Sequence, residues 1–303
     1  MDDFISVLKK GAAGAAKGAV LPVAGLAAGL INALGLVQYS PAGAAALNDT
    51  TSLVPLIAVT TMAVLLPLIV LPFLLGGALG YAVEAVSGGR PGWPAFVSSG
   101  KRHYVRLLAA GIVAWIIFYL LALMTTVLFA FGALAPALLP VVVILALAVM
   151  FVCLMLIEFY DISIVSEGTD FFRAFAASAG FASRHLSLVV PFFLIVAAAK
   201  VVAQLPIFTA IFVRTVAELA ANFSYYNGTA NGTLNSTYAN ATLLAAQTAP
   251  FSLPALLGVA ILQVLAQAVA FAFVVYYKAE FYRWVKGIKR ITDFDYDFSQ
   301  EKE

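Results

Sequence analysis

Apolar residues run almost unbroken along most of this chain, and the polar ones are gathered into a few short, regularly placed intervals. Six apolar stretches approach or exceed the roughly 20 residues a helix needs to cross a bilayer: 18–37, 53–81, 107–131, 137–157, 186–213 and 251–277. Backbone groups at hydrocarbon depth must be satisfied within their own segment, so the pattern predicts an all-α, polytopic membrane protein of six helices. The first stretch is the weakest, being mostly Ala and Gly, and the second is interrupted by Pro55, Pro67 and Pro72. Between the third and fourth, "GALAP" leaves room only for a tight hairpin. The organisation read from the pattern is a six-span membrane domain over 1–277, with an outer loop at 214–250 and a tail at 278–303.

The polar intervals repeat one another. After the second stretch comes "SGGRPGWPAFVSSGKRHYVRLLAAGIV", and after the fourth "SEGTDFFRAFAASAGFASRHLSLVVPFF". Both open on Ser-x-Gly and carry an aromatic-x-Ala-Phe cluster (Trp93, Ala95, Phe96; Phe172, Ala174, Phe175). Both then place a serine (Ser99; Ser178) and reach Arg-His (Arg102–His103; Arg184–His185) just before an apolar run. The opening "DDFISVLKKGAAGAAKGAVLP" is a fainter third copy. Each unit reads as an amphipathic helix at the cytoplasmic interface followed by a transmembrane hairpin, and three units make six spans.

Charge orients this map. Only 11% of the 303 residues are charged, against about 25% in soluble domains, which agrees with membrane burial. Fifteen of the seventeen Lys and Arg residues fall in the N-terminal arm, the two repeated intervals and the tail; Lys200 and Arg214 are the exceptions. The positive-inside rule makes that side, with both termini, cytoplasmic. The opposite loops hold six Asn-x-Ser/Thr triplets, at Asn48 and at Asn222, Asn227, Asn231, Asn235 and Asn240. Glycans are added on the outer face, so a glycosylated extracellular loop is expected. The small net charge of +2 gives no reason to expect nucleic acid as a partner. The lone Cys153 rules out an intramolecular disulfide and reads as a small buried hydrophobe. The N-terminus, led by acidic residues, does not read as a signal peptide.

The run "FYDISIVSEGTDFFRAFAASAGFASRHLSLVVPFFLI" resembles a signature of uncharacterised archaeal multi-pass membrane proteins related to the membrane domain of glycerophosphodiester phosphodiesterases. The residues that carry the likeness are Ile164, Val165, Glu167, Gly168, Ala174, Phe175 and Ser178, and "GYAVEAVSGGRPGWPAFVSSG" is similar to the equivalent earlier element. The resemblance implies the fold and an archaeal source. It does not bring the diesterase activity, because the catalytic domain with its acidic metal ligands and His pair has no counterpart in this sequence.

Polar residues inside the apolar stretches are the candidate sites. Lys200 lies near the middle of 186–213, where a lysine costs about 2.5–3.5 kcal/mol to insert, so it is expected to face the bundle interior or water. Gln204 is one turn on, and Gln263 and Gln267 share one face of the last span. The pairs Thr60–Thr61 and Thr125–Thr126 are further candidates for the same polar region. This group reads either as a polar site or pathway between spans five and six or as structural cross-links between helices. Gly14, Gly18, Gly25 and Gly29 form small-xxx-small pairs that allow close helix packing, within the chain or between copies.

Phe281, Trp284, Val285 and Ile288 suggest an amphipathic helix on the inner leaflet, flanked by Lys278, Lys286, Lys289 and Arg290. His103 and His185 read as interfacial anchors, since no cluster around them supplies metal ligands. Glu158 and Asp161 are expected to meet Arg173 or Arg184. No phosphate loop, nucleophile elbow or paired membrane carboxylate is present, and no acidic residue sits at mid-depth in a span. The sequence therefore suggests a non-enzymatic structural or accessory membrane protein without cofactor or metal. Membrane lipids, and further copies or other subunits of a membrane complex, are its expected partners. A transporter or channel around Lys200 is the alternative.

Overall fold

A computed structural model describes residues 2–15, 18–34, 36, 53–134, 136–230 and 253–287. The described residues contain no strand. Their α-helices are α1 (Asp2–Ala15), α2 (Val20–Ala33), α3 (Leu53–Val86), α4 (Trp93–Leu134), α5 (Leu139–Ile157), α6 (Tyr160–Glu167), α7 (Phe171–Arg184), α8 (Leu186–Ala230) and α9 (Leu253–Lys286). Five segments are long and apolar enough to cross a membrane: Leu65–Val86, Trp93–Ala130, Leu139–Glu167, Leu186–Val213 and Pro254–Lys286. Counting the bent pair Phe4–Ala15 and Val20–Ala33, which turns through 80°, as one span would make a sixth. The chain is an all-α, polytopic membrane protein.

The helices differ from the predicted segments in instructive places. At 14 residues, α2 is about 21 Å long, short of the ~30 Å hydrocarbon core. The expected first span at 18–37 is therefore no single straight helix among the described residues. The first repeated interval does not form a separate interfacial helix: α4 runs without interruption from Trp93 to Leu134. The second interval forms a helix of its own, because α7 ends at Arg184 and His185 leaves helical geometry (φ −120°, ψ 33°) before α8 begins. The helix of the fifth span continues past Val213 to Ala230, so the predicted outer loop at 214–250 begins as helix. Asn222 and Asn227 lie on that helical backbone; Asn48, Asn231, Asn235 and Asn240 lie outside the described residues.

The chain divides into two compact units. The first comprises Met1–Ala24, Leu68–Ala199 and Phe271–Glu303. Within it, α3 and α4 touch along glycines. A methyl group on Gly80 would lie 1.9 Å from Ser99 Oγ, one on Gly77 2.8 Å from the Phe96 carbonyl oxygen, and one on Gly100 2.8 Å from the Phe73 ring. Small residues let the backbones approach this closely, which is how helices gain contact where lipid tails remove the usual hydrophobic drive. Ser99 then donates to the carbonyl of Gly76, 23 residues upstream, at 2.9 Å. Its counterpart in the repeat, Ser178, donates to the carbonyl of Leu156, 22 residues upstream, at 2.6 Å. The two repeated intervals thus attach to their preceding span by the same bond.

Gly14 and Gly18 are also used inside the chain. A side chain on Gly14 would overlap the Tyr276 ring, and one on Gly18 would meet the Tyr81 hydroxyl at 2.4 Å. The second unit, Gly25–Pro67 and Lys200–Ala270, is packed in the same manner. A Cβ on Gly25 would lie 2.7 Å from Ala268 backbone atoms, and one on Gly29 2.8 Å from the Val264 carbonyl. Beside them, Ala33, Leu36 and Leu256 form a small core with Ile207, Val259 and Val264 against it. All four glycines of the small-xxx-small pairs face their own chain, so they supply no argument for contact between copies.

The glycine contacts set the first test. Gly80→Ala forces a methyl group into Ser99, and overpacking of this kind costs about 1–3 kcal/mol, so the thermal midpoint in detergent falls. Gly111 has nothing within 4 Å of the added atom, and Gly111→Ala raises the midpoint slightly through about 0.5–1 kcal/mol of helix propensity.

Candidate functional site

The helix that begins at Leu139 cannot continue through Glu158 and Phe159, where α5 stops and α6 starts again at Tyr160. A break exposes backbone groups that a continuous helix would pair, and buried ones are costly unless something else binds them. Three side chains do so in the first unit, through four hydrogen bonds. The Phe159 N–H donates to Ser178 Oγ at 3.0 Å, while the Ser178 hydroxyl donates to the Leu156 carbonyl. The Ile162 N–H donates to Asp161 Oδ1 at 2.7 Å, and Lys278 Nζ donates to the Glu158 carbonyl at 2.7 Å. The break is closed by side chains from α6, α7 and α9.

Lys278 is the centre of this arrangement. Only 5% exposed, its ammonium also lies 2.8 Å from Glu158 Oε1 and 3.0 Å from Asp161 Oδ2, with Asp161 Oδ1 at 3.2 Å. An ammonium has three protons and no acceptor; the Glu158 carbonyl and the two carboxylates use them. Both carboxylates are themselves buried. Asp161 lies in the first turn of α6, where the positive end of the helix favours a carboxylate. One turn along α9, the Tyr282 hydroxyl donates to Glu167 Oε1 at 2.5 Å and lies 3.2 Å from Ser163 Oγ. Lys286 pairs with the same Glu167 and lies 4.9 Å from the centre of the Tyr282 ring.

An aromatic cluster packs against this polar ladder. Phe159 is fully buried and stacks on Phe281 at 5.9 Å, with Phe181 at 4.8 Å and Phe192 at 5.1 Å. Phe281 in turn stacks on Phe192 at 4.2 Å and meets Phe4 of α1 edge-on at 6.4 Å. Residues 278–286 are therefore not an amphipathic helix lying on the leaflet. They are the continuation of α9, with Phe281 and Tyr282 buried in the unit, and the left-handed Gly287 (φ 60°) ends it. Val285 belongs to the same helix, Trp284 packs against Phe281 at 6.0 Å, and Ile288 lies outside the described residues.

Expectations for the other charged and polar residues divide similarly. Glu158 and Asp161 meet Lys278 rather than the expected Arg173 or Arg184, because α9 brings its own cation to the break. His103 is 7% exposed, turned into the unit rather than presented to solvent, whereas His185 sits half-buried beside Phe181 at 5.3 Å. Cys153 is half-buried. In the second unit, Gln263 is fully buried and its Nε2 donates to Gln204 Oε1 at 3.1 Å. Gln267 lies against Gly29. Lys200 is exposed on α8 rather than buried among the described helices. A cavity of about 480 Å³ in this unit is lined by Val202, Leu205, Pro206, Thr209, Val259 and Leu262 among others, without any of the glutamines or Lys200. Thr125 and Thr126 return their hydroxyls to carbonyls four residues back, at 2.8 and 2.9 Å. The side chains of Thr60 and Thr61 lie outside the described residues. No group of three or more His, Cys, Asp or Glu is arranged to hold a metal ion among the described residues.

Sequence reasoning assigned Lys278 to a cytoplasmic tail, since it stands first in a run of basic residues. A signal was available: aromatic and apolar residues of α9 continue past Lys278 through Phe281, Tyr282 and Trp284.

The chain belongs to the family described as "Domain of unknown function (DUF7847)", whose model matches residues 4–285. The match takes in every helix that builds the buried cluster. No curated protein and no solved structure matches the chain.

Lys278→Met leaves two carboxylates buried without their cation. Removing one partner of such a group costs about 3–5 kcal/mol, and the expected result is a strongly lowered thermal midpoint in detergent or loss of the folded protein. The triple variant Lys278→Met, Glu158→Gln, Asp161→Asn removes all three charges together and recovers a large part of that loss. Equal stability of the single variant and the parent would refute the clamp.

Proposed function

We propose that this protein is a non-enzymatic accessory membrane protein, a rigid module that assembles with itself or within a larger membrane complex. The observation that carries this reading is the saturation of the buried charges. The buried Lys278, Glu158 and Asp161 are spent on closing a helix break, and the more exposed Glu167 and Lys286, with Tyr282, on holding α9 against α6. Intramembrane ionisable residues are by default candidates for transport or catalysis; these ones have structural partners instead. The cavity beside α8 likewise offers a polar substrate little beyond the Thr209 hydroxyl.

Support for assembly comes from the outer surfaces of α4 and α5. Only 11% of the most apolar window is buried in each of Trp93–Ala130 and Leu139–Glu167, against 28–33% in the other three candidate spans. Trp115, Phe118, Tyr119 and Leu123 of α4, and Val141, Ile144 and Leu147 of α5, are exposed. Lipid or a partner helix covers such a face in a membrane. In this reading both termini are cytoplasmic and the sequon-bearing residues 214–250 are outside, with glycans on them; the Lys and Arg distribution supports that orientation.

Native mass spectrometry of the protein extracted gently from its own membranes tests both parts. The expected result is a defined oligomer or hetero-complex, with excess mass that disappears when Asn222, Asn227, Asn231, Asn235 and Asn240 are changed to Gln. A monomer that conducts solute in vesicles, with flux abolished by Lys200→Met or Gln263→Leu, would overturn the accessory reading in favour of transport.

A further inference from the structure

A second polar feature of the first unit takes no part in the clamp. Where α3 ends and α4 begins, a cleft of about 640 Å³ opens, within the size range of small-molecule sites. Glu84 and Ser87 line it from the last turn of α3; Ser98, Ser99, Arg102 and His103 line it from α4. The spacing explains the convergence, since Ser98 with Arg102 and Ser99 with His103 are i, i+4 pairs on one helix face. The α3 side is shaped by its helix terminus. Gly88 takes a left-handed conformation (φ 92°), its N–H bonds the Ala85 carbonyl, and the Gly89 N–H bonds the Glu84 carbonyl. This paired cap turns the chain away sharply and leaves the Glu84 side chain at the edge of the cleft.

The chemistry of the lining is two-sided. Glu84 and Arg102 have opposite charge and share the cleft, and among the described residues neither side chain makes a hydrogen bond or ion pair. The three serines have already committed their protons: Ser87 to the Val83 carbonyl at 2.8 Å, Ser98 to Ala95 at 3.0 Å and Ser99 to Gly76 at 2.9 Å. Their oxygens remain as acceptors, which together with the Glu84 carboxylate suits an ammonium group. Arg102, always charged and forked, suits a phosphate. His103, 7% exposed in the cleft wall, keeps a buried Nδ1 without a hydrogen-bond partner. A buried polar atom in this state is costly and calls for a partner at the cleft.

The position along the helices narrows the source. The candidate span of α3 stops at Val86 and that of α4 starts at Trp93, an exposed aromatic of the kind that marks the membrane–water boundary. Lys101, Arg102 and Arg106 precede the apolar run of α4 that starts at Leu107, so the cleft sits where the chain leaves the apolar segment, a position that suits headgroup depth. We propose that it binds a zwitterion carrying an ammonium and a phosphate, with the ammonium between Glu84 and the serine oxygens and the phosphate on Arg102. The headgroup of a membrane aminophospholipid presents this chemistry at this depth; free phosphoethanolamine carries the same groups.

The test uses the full chain in nanodiscs of mixed phosphatidylethanolamine and phosphatidylglycerol, followed by native mass spectrometry of retained lipid. The expected result is at least tenfold preferential retention of phosphatidylethanolamine, which supplies both charges, over phosphatidylglycerol, which supplies the phosphate alone. Glu84→Gln and Arg102→Met each remove that preference while the thermal midpoint stays within a few degrees of the parent; both residues are accessible at the cleft and outside the clamp. Titration with free phosphoethanolamine separates the sources: binding by the lipid alone identifies a membrane ligand, and comparable binding of the free compound identifies a soluble one. Equal retention of the two lipids with no binding of the free compound, or an unchanged preference in both folded variants, would overturn the proposal.

Discussion

An α-helix that breaks inside a membrane protein leaves polar backbone groups where water cannot reach them, and the first unit is organised around supplying what is missing at Glu158 and Phe159. Ser178 serves a donor and an acceptor at once, and Lys278 caps the carbonyl at the break. The ammonium could not be buried alone, nor could the Glu158 and Asp161 carboxylates; each makes the others tolerable. The consequence is long-range order: one interaction requires α5, α6, α7 and the end of α9 to be in place together, and the Phe159–Phe281–Phe4 contacts add α1.

The same economy governs helix contact. Where side chains are removed, as at Gly77, Gly80 and Gly100, the backbones of α3 and α4 come close enough for Ser99 to reach the Gly76 carbonyl. Ser178 does the equivalent between α7 and α5. In one copy of the repeat the spanning helix remains whole and the serine merely staples it. In the other the helix has opened, and the serine, a lysine and an aspartate fill the gap. The repeated device thus carries a buried charge cluster in one copy and, beside the other, a cleft whose charges have no partner among the described residues. That asymmetry is the basis for giving the first a structural role and the second a ligand.

Several features were legible along the chain because they depend on periodicity or composition. The all-α polytopic class, the fifth span at 186–213 and the tight connection between α4 and α5 follow from stretches that must hide their backbone from lipid. The proximity of Gln204 and Gln263 was also readable, since amides at matching depth in two apolar helices have few other partners. The repeat was visible as Ser-x-Gly and the serines at 99 and 178. What misled was the edge of each pattern. Basic residues after Tyr277 suggested a tail on the leaflet, but Phe281 and Tyr282 are core residues and the helix does not stop. Lys200 suggested a place in the bundle interior or facing water on energetic grounds, and it is exposed on α8 rather than buried. The first repeated interval suggested a separate helix, and α4 absorbs it without a break.

By itself the sequence determined the medium, since only a hydrocarbon environment suits so many long apolar segments, and with it the helical class, because no other open backbone conformation satisfies its own hydrogen bonds there. Tertiary structure alone decided which charges meet. Lys278 stands 117 residues from Asp161 and 120 from Glu158, and nothing local distinguishes a lysine at the end of a span from one inside a protein. Only the packing of α9 against the broken helix removes the water that would otherwise have solvated all three, and so turns a basic residue near a membrane boundary into the centre of a fold.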